Sequence, residues 1–364
     1  MHAGARLRRA CSGKLKAKVF IEVRTEHLQH LACPECKGRL NLLPGHVLSG
    51  ESVETGRLEC DGCRRQYPIE RHIPRFVPLE NYAAGFGLEW TRHSRTQYDS
   101  YTGVKISETR FFKETKWPTK MPGERLLEVG SGSGRFTECA AVTGAMVVSV
   151  DYSVAVEANY ASNGTKPNVL IVQGDIYKLP VRDEYFDKVL CIGVLQHTPA
   201  PAKAFMELPR YLKPGGRLTV DVYKKKNSIR GYLGRLASTK YIVRPLTRRM
   251  APEKLYRRVE AYINFMWPIA RVINRIPKIG RWLNWRLLVA DYRGVFPLPE
   301  HLLKEWAILD TFDMLSPRYD YPQTIETVRE WFEKAGLEEV EVQYGYNGIE
   351  GRGRKKAQGM GIST

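Results

Sequence analysis

Short apolar runs alternate with amphipathic stretches in the middle of the chain. Five such runs, LLEV, MVVSV, NVLIV, KVLCI and RLTVDV, lie between residues 125 and 223, and most are followed by glycine or aspartate. They have the length of buried strands, and the stretches between them are compatible with helices. Strands that alternate with helices form a mostly parallel sheet, with the ligand site at the carboxyl ends of the strands. The pattern therefore predicts a doubly wound α/β core.

Two further features extend this pattern. The chain after Gly336 alternates apolar and polar residues on both sides of a turn, which predicts two more strands. Pro209 lies inside the helical pattern that precedes the fifth strand. Because an interior proline costs a helix about 3 kcal/mol, this helix is expected to be kinked or to end early.

A glycine-rich turn follows the first predicted strand. Its spacing is acid-x-Gly-x-Gly-x-Gly, formed by Glu128, Gly130, Gly132 and Gly134. The dinucleotide fingerprint requires a third glycine where Arg135 or Thr137 stands here, and an acid at the strand end would repel a pyrophosphate. The turn therefore fits a nucleotide other than NAD.

Polar residues end the next predicted strands. Asp151 lies 21 residues after Gly130, where a carboxylate can accept hydrogen bonds from both ribose hydroxyls of NAD or of S-adenosylmethionine. Asp175 ends the third strand, and His197 follows the fourth. His197 stands where a general base for an alcohol acceptor is needed, and a histidine that only shapes the loop is the alternative.

The order of these motifs resembles the class I S-adenosylmethionine-dependent methyltransferases, in particular the small-molecule methyltransferase type 11 group. The resemblance covers Arg125 to Tyr223 and rests on LEVGSGSGRF, SVDYS, QGDIYKLP, IGVLQHTPAP and LKPGGRLTV. It implies a Rossmann-like seven-stranded sheet whose last two strands come from the C-terminal segment. It also implies S-adenosylmethionine as the cofactor, which carries a sulfonium and an ammonium but no phosphate, so that an acid in the turn becomes favourable.

The resemblance assigns cofactor contacts to individual residues. The methionine end of the cofactor is implied to approach Glu128 and the amides of Gly130, Ser131, Gly132 and Gly134. Asp151 is implied to hold the ribose, Tyr152 to lie beside the adenine, and Asp175 with Ile176 to contact the adenine amino edge. Asp221 and Tyr223, at the end of the fifth strand, are weaker candidates for the general base, with capping of the sheet edge as their alternative role, and Gln97 is a weaker pocket candidate. The aromatic residues Phe86, Trp90 and Tyr98 are expected to line the pocket, with packing in the core as the alternative.

Four cysteines near the start form two Cys-x-x-Cys pairs. Cys33 and Cys36 are separated by 23 residues from Cys60 and Cys63, and turn residues between two strand-like runs predict a hairpin. Paired cysteines of this kind in a reducing compartment indicate a tetrahedral Zn2+ site, with a rubredoxin-like iron site or free thiols as alternatives. Four thiolates leave no open coordination position, so the metal is expected to be structural.

This cysteine module resembles the small zinc ribbon that partners, or is fused to, several methyltransferases. One interpretation is that the ribbon stabilises the catalytic domain of an enzyme that O-methylates a small molecule, a sugar or a lipid-linked glycan. The alternative is that the ribbon binds RNA as part of an RNA methyltransferase. The ligand set lacks the histidine of the RNA-binding ribbons, and the fourth strand is not followed by an Asn-Pro-Pro-Tyr turn, so the first interpretation is favoured. A non-catalytic cofactor-binding protein is a further alternative.

Basic residues are concentrated in one segment. The chain has a formal charge of +18, and residues 224–300 contain 18 Lys and Arg against 4 Asp and Glu. Arginines such as Arg271, Arg275 and Arg281 alternate there with apolar residues and with Trp267, Trp282 and Trp285. The segment is therefore expected to be a lid over an anionic-substrate pocket, a contact to an anionic membrane or an RNA-binding surface.

No apolar run reaches the length of a membrane-spanning helix, and the N-terminus lacks the apolar region of a secretory signal. A cytoplasmic protein is therefore expected, with peripheral contact to the inner membrane surface as one option. The predicted division of the chain is a basic tail at 1–28, a zinc ribbon at 29–78, a methyltransferase core with lid helices at 79–223, a basic helical insertion at 224–300, a C-terminal completion of the core at 301–355, and a tail at 356–364.

Overall fold

The computed structural model describes residues 22–23, 25–49, 51–79, 81–225 and 238–357. Most of the predicted tail at 1–28, residues 226–237 of the predicted insertion and most of the tail at 356–364 lie outside these ranges. The described residues form an N-terminal β unit, an α/β sheet and a group of helices packed over one edge of the sheet.

The N-terminal β unit is built around one long strand. The 3-10 helix Thr25–His30 is followed by the first cysteine pair, and Cys60 ends the long strand. The strands are β1 (Glu22–Val23), β2 (Leu40–Leu42), β3 (Val47–Ser49), β4 (Glu51–Cys60), β5 (Gln66–Glu70) and β6 (Ile73–Pro74). Strand β4 pairs antiparallel with β2, β3 and β5 and parallel with β1. The segment between the cysteine pairs thus folds back on itself and brings the pairs together.

A seven-stranded sheet forms the centre of the molecule, which confirms the predicted fold class. Its order is β12-β13-β11-β10-β7-β8-β9. The strands are β7 (Arg125–Val129), β8 (Met146–Asp151), β9 (Val169–Gln173), β10 (Phe186–Cys191), β11 (Leu212–Val222), β12 (Glu338–Tyr344) and β13 (Ile349–Arg354). Strand β13 runs antiparallel to both of its neighbours, and the other pairings are parallel. Strand order reverses beside β7, which is where α/β sheets open a ligand crevice.

Helices cover both faces of this sheet. They are α1 (Ala84–Arg92), α2 (Asp99–Thr102), α3 (Ile106–Thr115), α4 (Arg135–Ala141), α5 (Val156–Asn163) and α6 (Pro201–Glu207). Helix α6 ends at Glu207 and passes into the 3-10 helix Leu208–Tyr211. The interruption at Pro209 is therefore confirmed as an early end of the helix, because proline supplies no backbone N–H for the next turn.

The basic segment folds into a helical lobe. We use this name for residues 238–315, which contain α7 (Thr239–Thr247), α8 (Pro252–Ile273), α9 (Gly280–Arg286) and α10 (Glu300–Leu315). Helix α10 supplies Leu303, Trp306 and Phe312 to the same buried cluster as the inner face of α8. The helical lobe thus continues past residue 300, because α8 needs the apolar side of α10 to cover it. Helix α11 (Ile325–Lys334) then leads back to the sheet.

The three tryptophans of the basic segment have different environments. Trp267 is buried, and the Arg293 guanidinium lies 3.9 Å from its ring centroid. Trp285 is half-buried and forms an edge contact with Tyr292. Only Trp282 of the three is largely exposed. Trp267 and Trp285 thus pack within the helical lobe, whereas Trp282 is placed for contact with an external surface.

The N-terminal β unit packs against the free edge of β9. The Phe76 N–H donates to the Gln173 carbonyl at 2.9 Å, and the Arg75 guanidinium donates to the Gln173 side chain at 2.8 Å. The Lys37 ammonium donates to the Leu179 carbonyl at 2.8 Å, and the Ala32 N–H donates to the Pro180 carbonyl. This unit therefore covers an edge strand and fixes the loop that follows β9.

Candidate functional site

A cavity of about 720 Å³ opens at the carboxyl ends of the central strands and extends into the helical lobe. Seven of the predicted site residues line it: Gly130, Ser131, Gly132, Asp151, Tyr152, Ile176 and His197. Glu128, Gly134 and Asp175 are not among the lining residues. The fold thus collects most of the predicted residues from four different loops around one space.

The glycine turn has a backbone that other residues would strain. Gly130 and Gly134 have φ angles of 80° and 96°. A Cβ atom at Gly130 would lie 2.2 Å from the Val194 side chain, and one at Gly134 would lie 2.1 Å from the Asn159 side chain. Glycine is therefore required both by the backbone conformation and by the close approach of α5 and of the loop that follows β10.

The Asp151 carboxylate lies at the end of β8 and faces the glycine turn. It accepts hydrogen bonds from the Gly132 N–H and the Ser153 N–H, each at 2.8 Å. Burial raises the pKa of Asp151, while these N–H groups lower it. The adjacent Tyr152 ring stacks on Tyr82 with 4.8 Å between the centroids. The two residues therefore offer an acceptor for hydroxyl groups and a flat apolar surface side by side.

The Glu128 carboxylate lies beneath the glycine turn and not in the cavity. One of its oxygens accepts from the Thr137 hydroxyl at 2.5 Å, and the other has no partner among the described residues. Burial raises the pKa of Glu128 to about 7. The Thr137 hydroxyl on α4 thus holds this carboxylate below the turn, while its implied approach to the methionine end of the cofactor stays a prediction.

Asp175 and Ile176 are adjacent residues in the turn that follows β9, and their side chains have different environments. Ile176 is buried and lines the cavity. The Asp175 carboxylate accepts from the Tyr177 N–H at 3.0 Å and does not line the cavity, and burial raises its pKa. Asp175 therefore stabilises the loop in this structure, while its predicted contact to adenine stays a prediction.

His197 lies on the cavity wall between two aromatic rings. The Phe86 and Tyr223 centroids are 5.2 and 5.3 Å from the imidazole centroid. The Nδ1 atom of His197 is 3.0 Å from the Tyr319 carbonyl oxygen. A carbonyl only accepts, so Nδ1 carries the proton and Nε2 is left as an acceptor in the neutral ring.

Carboxylates line the end of the cavity that is formed by the lid helix and the helical lobe. Glu89 on α1 is 1% exposed, and neither of its carboxylate oxygens has a partner among the described residues. Asp310 and Asp313 on α10 face the same space. Burial, with these two aspartates, raises the pKa of Glu89 well above its usual range.

Hydrogen bonds fix the two aspartates. The Gln97 amide donates to Asp310 at 3.3 Å, and the Tyr223 hydroxyl donates to Asp313 at 3.2 Å. Burial raises the pKa of Asp310 to about 7. Gln97 and Tyr223, the weaker candidates, thus both reach the cavity. Sequence reasoning missed the carboxylates, although two acids three residues apart in the apolar EWAILDTFDML stretch indicate one polar helix face.

The arginines predicted to line a closed pocket lie elsewhere. Arg271, Arg275 and Arg281 are exposed and do not line the cavity. The cavity is lined instead by Arg110 and Arg135, and Arg110 is paired with Glu114 at 2.6 Å and with Asp221. The lid interpretation is therefore wrong for these three arginines, because they lie on the solvent side of α8, of α9 and of the segment between them.

The remaining candidates divide between the cavity and the supporting structure. Phe86 and Trp90 line the cavity, with the Trp90 indole against Gly132. Tyr98 is buried and donates to the Ser133 carbonyl. Asp221 is buried and accepts from the Gly193 N–H as well as from the Arg110 guanidinium. Asp221 and Tyr98 thus hold the loops that carry the cavity wall.

The four cysteine sulfurs form a compact group. Each ligand atom lies within 4.8 Å of the others, with 3.6 Å between Cys33 and Cys63 and 3.3 Å between Cys36 and Cys60. Tetrahedral Zn–S bonds of about 2.3 Å separate the sulfurs by about 3.8 Å. The donor set and spacing therefore fit a structural Zn2+ held by Cys33, Cys36, Cys60 and Cys63.

Comparison with protein families identifies two domains. Residues 127–220 match the family described as Methyltransferase domain, and residues 24–71 match the family described as Trm112p-like protein. The first match spans β7 to β11, and the second spans the cysteine pairs. The two matches therefore fall on the sheet and on the N-terminal β unit.

Individual relatives show where the similarity lies. The demethylmenaquinone methyltransferase of Renibacterium salmoninarum is 35% identical over 100 residues, which are 28% of this chain and 41% of that protein. The Mycobacterium marinum demethylmenaquinone methyltransferase is 29% identical over 217 residues, or 56% of this chain and 90% of that protein. The chain therefore spans less than half of the length of the first of these relatives.

A solved structure from Methanococcus maripaludis, described as an S-adenosyl-L-methionine-dependent methyltransferase, has a TM-score of 0.41 and 15% identity. The alignment covers 78% of this chain and 99% of that one. The motifs, the strand order and the family matches agree with each other. Residues 127–220 therefore form a methyltransferase domain of the class I S-adenosylmethionine-dependent type, and residues 24–71 form a Trm112p-like zinc-ribbon domain.

Proposed function

We propose that this chain transfers a methyl group from S-adenosylmethionine to a hydroxyl group of a small-molecule, sugar or lipid-linked glycan acceptor. The observation that carries the proposal is a single cavity that joins the glycine turn, His197 and the carboxylates of the helical lobe. A cofactor at the turn and an acceptor beside the carboxylates would meet next to His197. In-line methyl transfer depends mainly on this alignment.

The cofactor half of the proposal rests on the turn and on Asp151. When bound, S-adenosylmethionine supplies a methyl group on an electrophilic sulfonium. The amides of Gly130 to Gly134 and the Asp151 carboxylate would hold it, with Tyr152 and Ile176 beside the adenine. A pyrophosphate at the turn would face the Asp151 carboxylate, and the turn lacks the third glycine of the dinucleotide fingerprint.

Replacement of Asp151 by alanine should weaken S-adenosylmethionine binding about 10- to 100-fold, because a charge-assisted hydrogen bond worth about 1.5 to 3 kcal/mol is lost. Isothermal calorimetry measures the change, and NAD should not bind the wild type. Asp151→Asn is the matched control, since it keeps an acceptor for the Gly132 N–H. Unchanged affinity in Asp151→Ala, or NAD binding, would contradict the cofactor assignment.

His197 is the base in this proposal. Its Nδ1–H donates to the Tyr319 carbonyl, which leaves Nε2 as the acceptor atom of the neutral ring. As the acceptor oxygen bonds to the methyl carbon and the carbon–sulfur bond breaks, Nε2 takes the hydroxyl proton. The Phe86 and Tyr223 rings keep the imidazole in place.

The carboxylates indicate a polar acceptor. Glu89 is buried with two unpartnered oxygens, which costs free energy unless a ligand donates to them. Hydroxyl groups of a sugar supply such donors, and the Phe296 and Trp306 rings, stacked at 5.0 Å, supply an apolar surface for its carbon face. An entirely apolar ring would leave Glu89 unsatisfied.

The zinc ribbon has a supporting role in this proposal. Its Lys37 and Ala32 hold the carbonyls of Leu179 and Pro180, in the loop that carries Asp175 and Ile176. The ribbon would thus stabilise the adenine side of the cofactor site within the same chain. The division of the chain at residues 78 and 223 is part of this proposal, with the helical lobe, residues 238–315, as the acceptor-binding region.

Transfer of label from methyl-tritiated S-adenosylmethionine into cell fractions tests the acceptor class. We expect label in an organic-solvent extract, and mild acid should release it into water if the methyl group lies on a glycan linked through phosphate to a lipid. Label in RNA would support the RNA alternative. Tight cofactor binding with no label in any fraction would support a non-catalytic protein. The matched variant Glu89→Gln should lower labelling without changing cofactor affinity, because Glu89 is not among the groups that hydrogen-bond the Asp151 carboxylate.

A further inference from the structure

The long helix α8 has two apolar faces. Its inner face packs Leu255, Val259, Ile263, Met266 and Ala270 against the core of the helical lobe. Its outer face exposes Tyr262, Phe265, Ile269 and Val272 at spacings of three and four residues. Phe265 is 70% exposed and Val272 is 61% exposed. A second apolar stripe on the solvent side of a helix is not needed for the fold and indicates a partner.

The exposed apolar surface continues beyond α8. We call it the outer face of the lobe, and its members are Tyr262, Phe265, Ile269, Val272, Ile276, Ile279, Trp282 and Leu287. The Tyr262 hydroxyl donates to the Leu287 carbonyl, which joins α8 to the end of α9. The Asn284 amide donates to the Ala270 carbonyl at 2.9 Å and holds the two helices together. The surface is therefore one continuous feature carried by a fixed pair of helices.

Basic residues surround this apolar surface. Residues 257–286 contain seven Lys and Arg but one acid, Glu260. Arg257, Arg275, Lys278 and Arg281 form no ion pair with any residue that the structure describes. The Arg286 guanidinium lies 5.0 Å from the centroid of the exposed Trp282 ring. Exposed aliphatic residues, tryptophan and arginine together are the composition of a helix that lies in the headgroup layer of an anionic bilayer.

We propose that the outer face of the lobe docks this chain on the surface of an anionic lipid bilayer. Its apolar side chains would enter the boundary between headgroups and acyl chains, and its arginines would contact lipid phosphates. None of the helices in the described part of the chain combines the length and apolar character that a bilayer crossing needs. The contact is therefore peripheral and reversible.

Other occupants fit this surface less well. A second copy joined by a two-fold axis would place the same seven cations against themselves, which repels. RNA would use the arginines and the aromatic rings, but it has no use for exposed Ile269, Val272, Ile276 and Ile279. An anionic bilayer uses both the charges and the aliphatic side chains.

Docking would also orient the cavity. Helix α9 carries Trp282 on the outer face, and its Trp285 lines the cavity. Val295, 45% exposed, lines the cavity as well. The cavity mouth would thus lie next to the bilayer, where a lipid-linked acceptor could enter. This last point rests on the proposed function, whereas the docking itself does not.

Vesicle flotation of the full chain tests the proposal. The protein should float with phosphatidylcholine vesicles that contain phosphatidylglycerol, should do so less at high salt, and should not float with phosphatidylcholine alone. The joint change Arg271→Ala, Arg275→Ala and Arg281→Ala should weaken binding about 100-fold, since each basic residue near the surface contributes about a factor of five. The joint change Phe265→Ser, Ile269→Ser and Val272→Ser should weaken it at least about tenfold at every salt concentration.

The matched controls replace exposed residues of the same chemical types in other parts of the surface. Lys113→Ala, Lys120→Ala and Arg329→Ala together remove three exposed charges outside the lobe. Val47→Ser, Leu48→Ser and Val142→Ser together remove three exposed apolar side chains. Both control sets should bind vesicles like the wild type, and calorimetry with S-adenosylmethionine should show unchanged affinity in all four variants.

Three results would overturn the proposal. They are wild-type flotation that does not depend on phosphatidylglycerol, lobe variants that bind as well as their controls, and a dimer in sedimentation that the serine variant converts to a monomer. Flotation does not depend on turnover, so its failure is distinguishable from failure of the proposed methyl transfer.

Discussion

Replacement of both Cys33 and Cys60 by serine should release the metal from the N-terminal domain and unfold that domain. The four sulfurs surround one position, so two missing thiolates leave too few ligands for a tetrahedral site. A structural Zn2+ contributes on the order of 10 kcal/mol of apparent folding free energy in small zinc modules, which is more than the β unit can supply from its short strands. Elemental analysis should give about one zinc per wild-type chain and none in the variant.

The loss of metal should also weaken cofactor binding. The ribbon holds the loop after β9 through Lys37 and Ala32, so an unfolded ribbon frees the loop that carries Asp175 and Ile176. Hydrogen exchange should increase at residues 174–181, and calorimetry should show weaker binding of S-adenosylmethionine. Cys139→Ser is the matched control, because this thiol lies on α4 outside the metal group. Metal retained in the double variant, or iron in place of zinc in the wild type, would contradict the assignment.

Turnover of the His197→Ala variant should fall about 10²- to 10⁴-fold, the range that general base catalysis supplies. Cofactor affinity should be unchanged, because the glycine turn and Asp151 carry that contact. Single-turnover incorporation of labelled methyl, measured in the fraction that accepts it, separates the rate from binding. The effect is expected on the rate of the chemical step and not on acceptor binding, since Glu89 and the lobe hold the acceptor.

His197→Asn distinguishes a base from a structural residue. An asparagine amide can donate to the Tyr319 carbonyl as Nδ1–H does, but it cannot take a proton at neutral pH. If His197 is the general base, the asparagine variant should be as slow as the alanine variant. If asparagine restores the rate, His197 only positions the loop after β10, and alignment in the cavity carries the acceleration.

Some of the site could be predicted from the sequence because its residues are fixed by local geometry. Positions 130 and 134 require glycine because φ is positive there and because Val194 and Asn159 lie close to the backbone. The turn can therefore be recognised in the sequence from the spacing of its glycines. Asp151 ends a strand, and the ends of parallel strands meet at one edge of the sheet. The two Cys-x-x-Cys pairs have a ligand spacing that few other structures use.

Other residues reached the site through contacts between distant parts of the chain. Glu89 precedes Asp310 by 221 residues, and neither of the two helices that carry Glu89, Asp310 and Asp313 has a recognisable motif. Glu128 has the expected sequence position, but the Thr137 hydroxyl on the next helix holds its carboxylate below the turn. The direction of a side chain depends on its neighbours in the folded structure, and the spacing of residues along the sequence does not specify those neighbours.

The sequence by itself determined the α/β core, the glycine turn, the cysteine site and the concentration of positive charge in one segment, because each follows from a local pattern of residues. Only the tertiary structure decided which faces of that segment are buried. Helix α8 has apolar residues on both sides, and burial of Ile263 and Met266 against α10 leaves Phe265, Ile269 and the arginines outside. The sequence pattern shows which positions of a helix are apolar. Packing against a particular neighbouring helix determines which of those positions face the core.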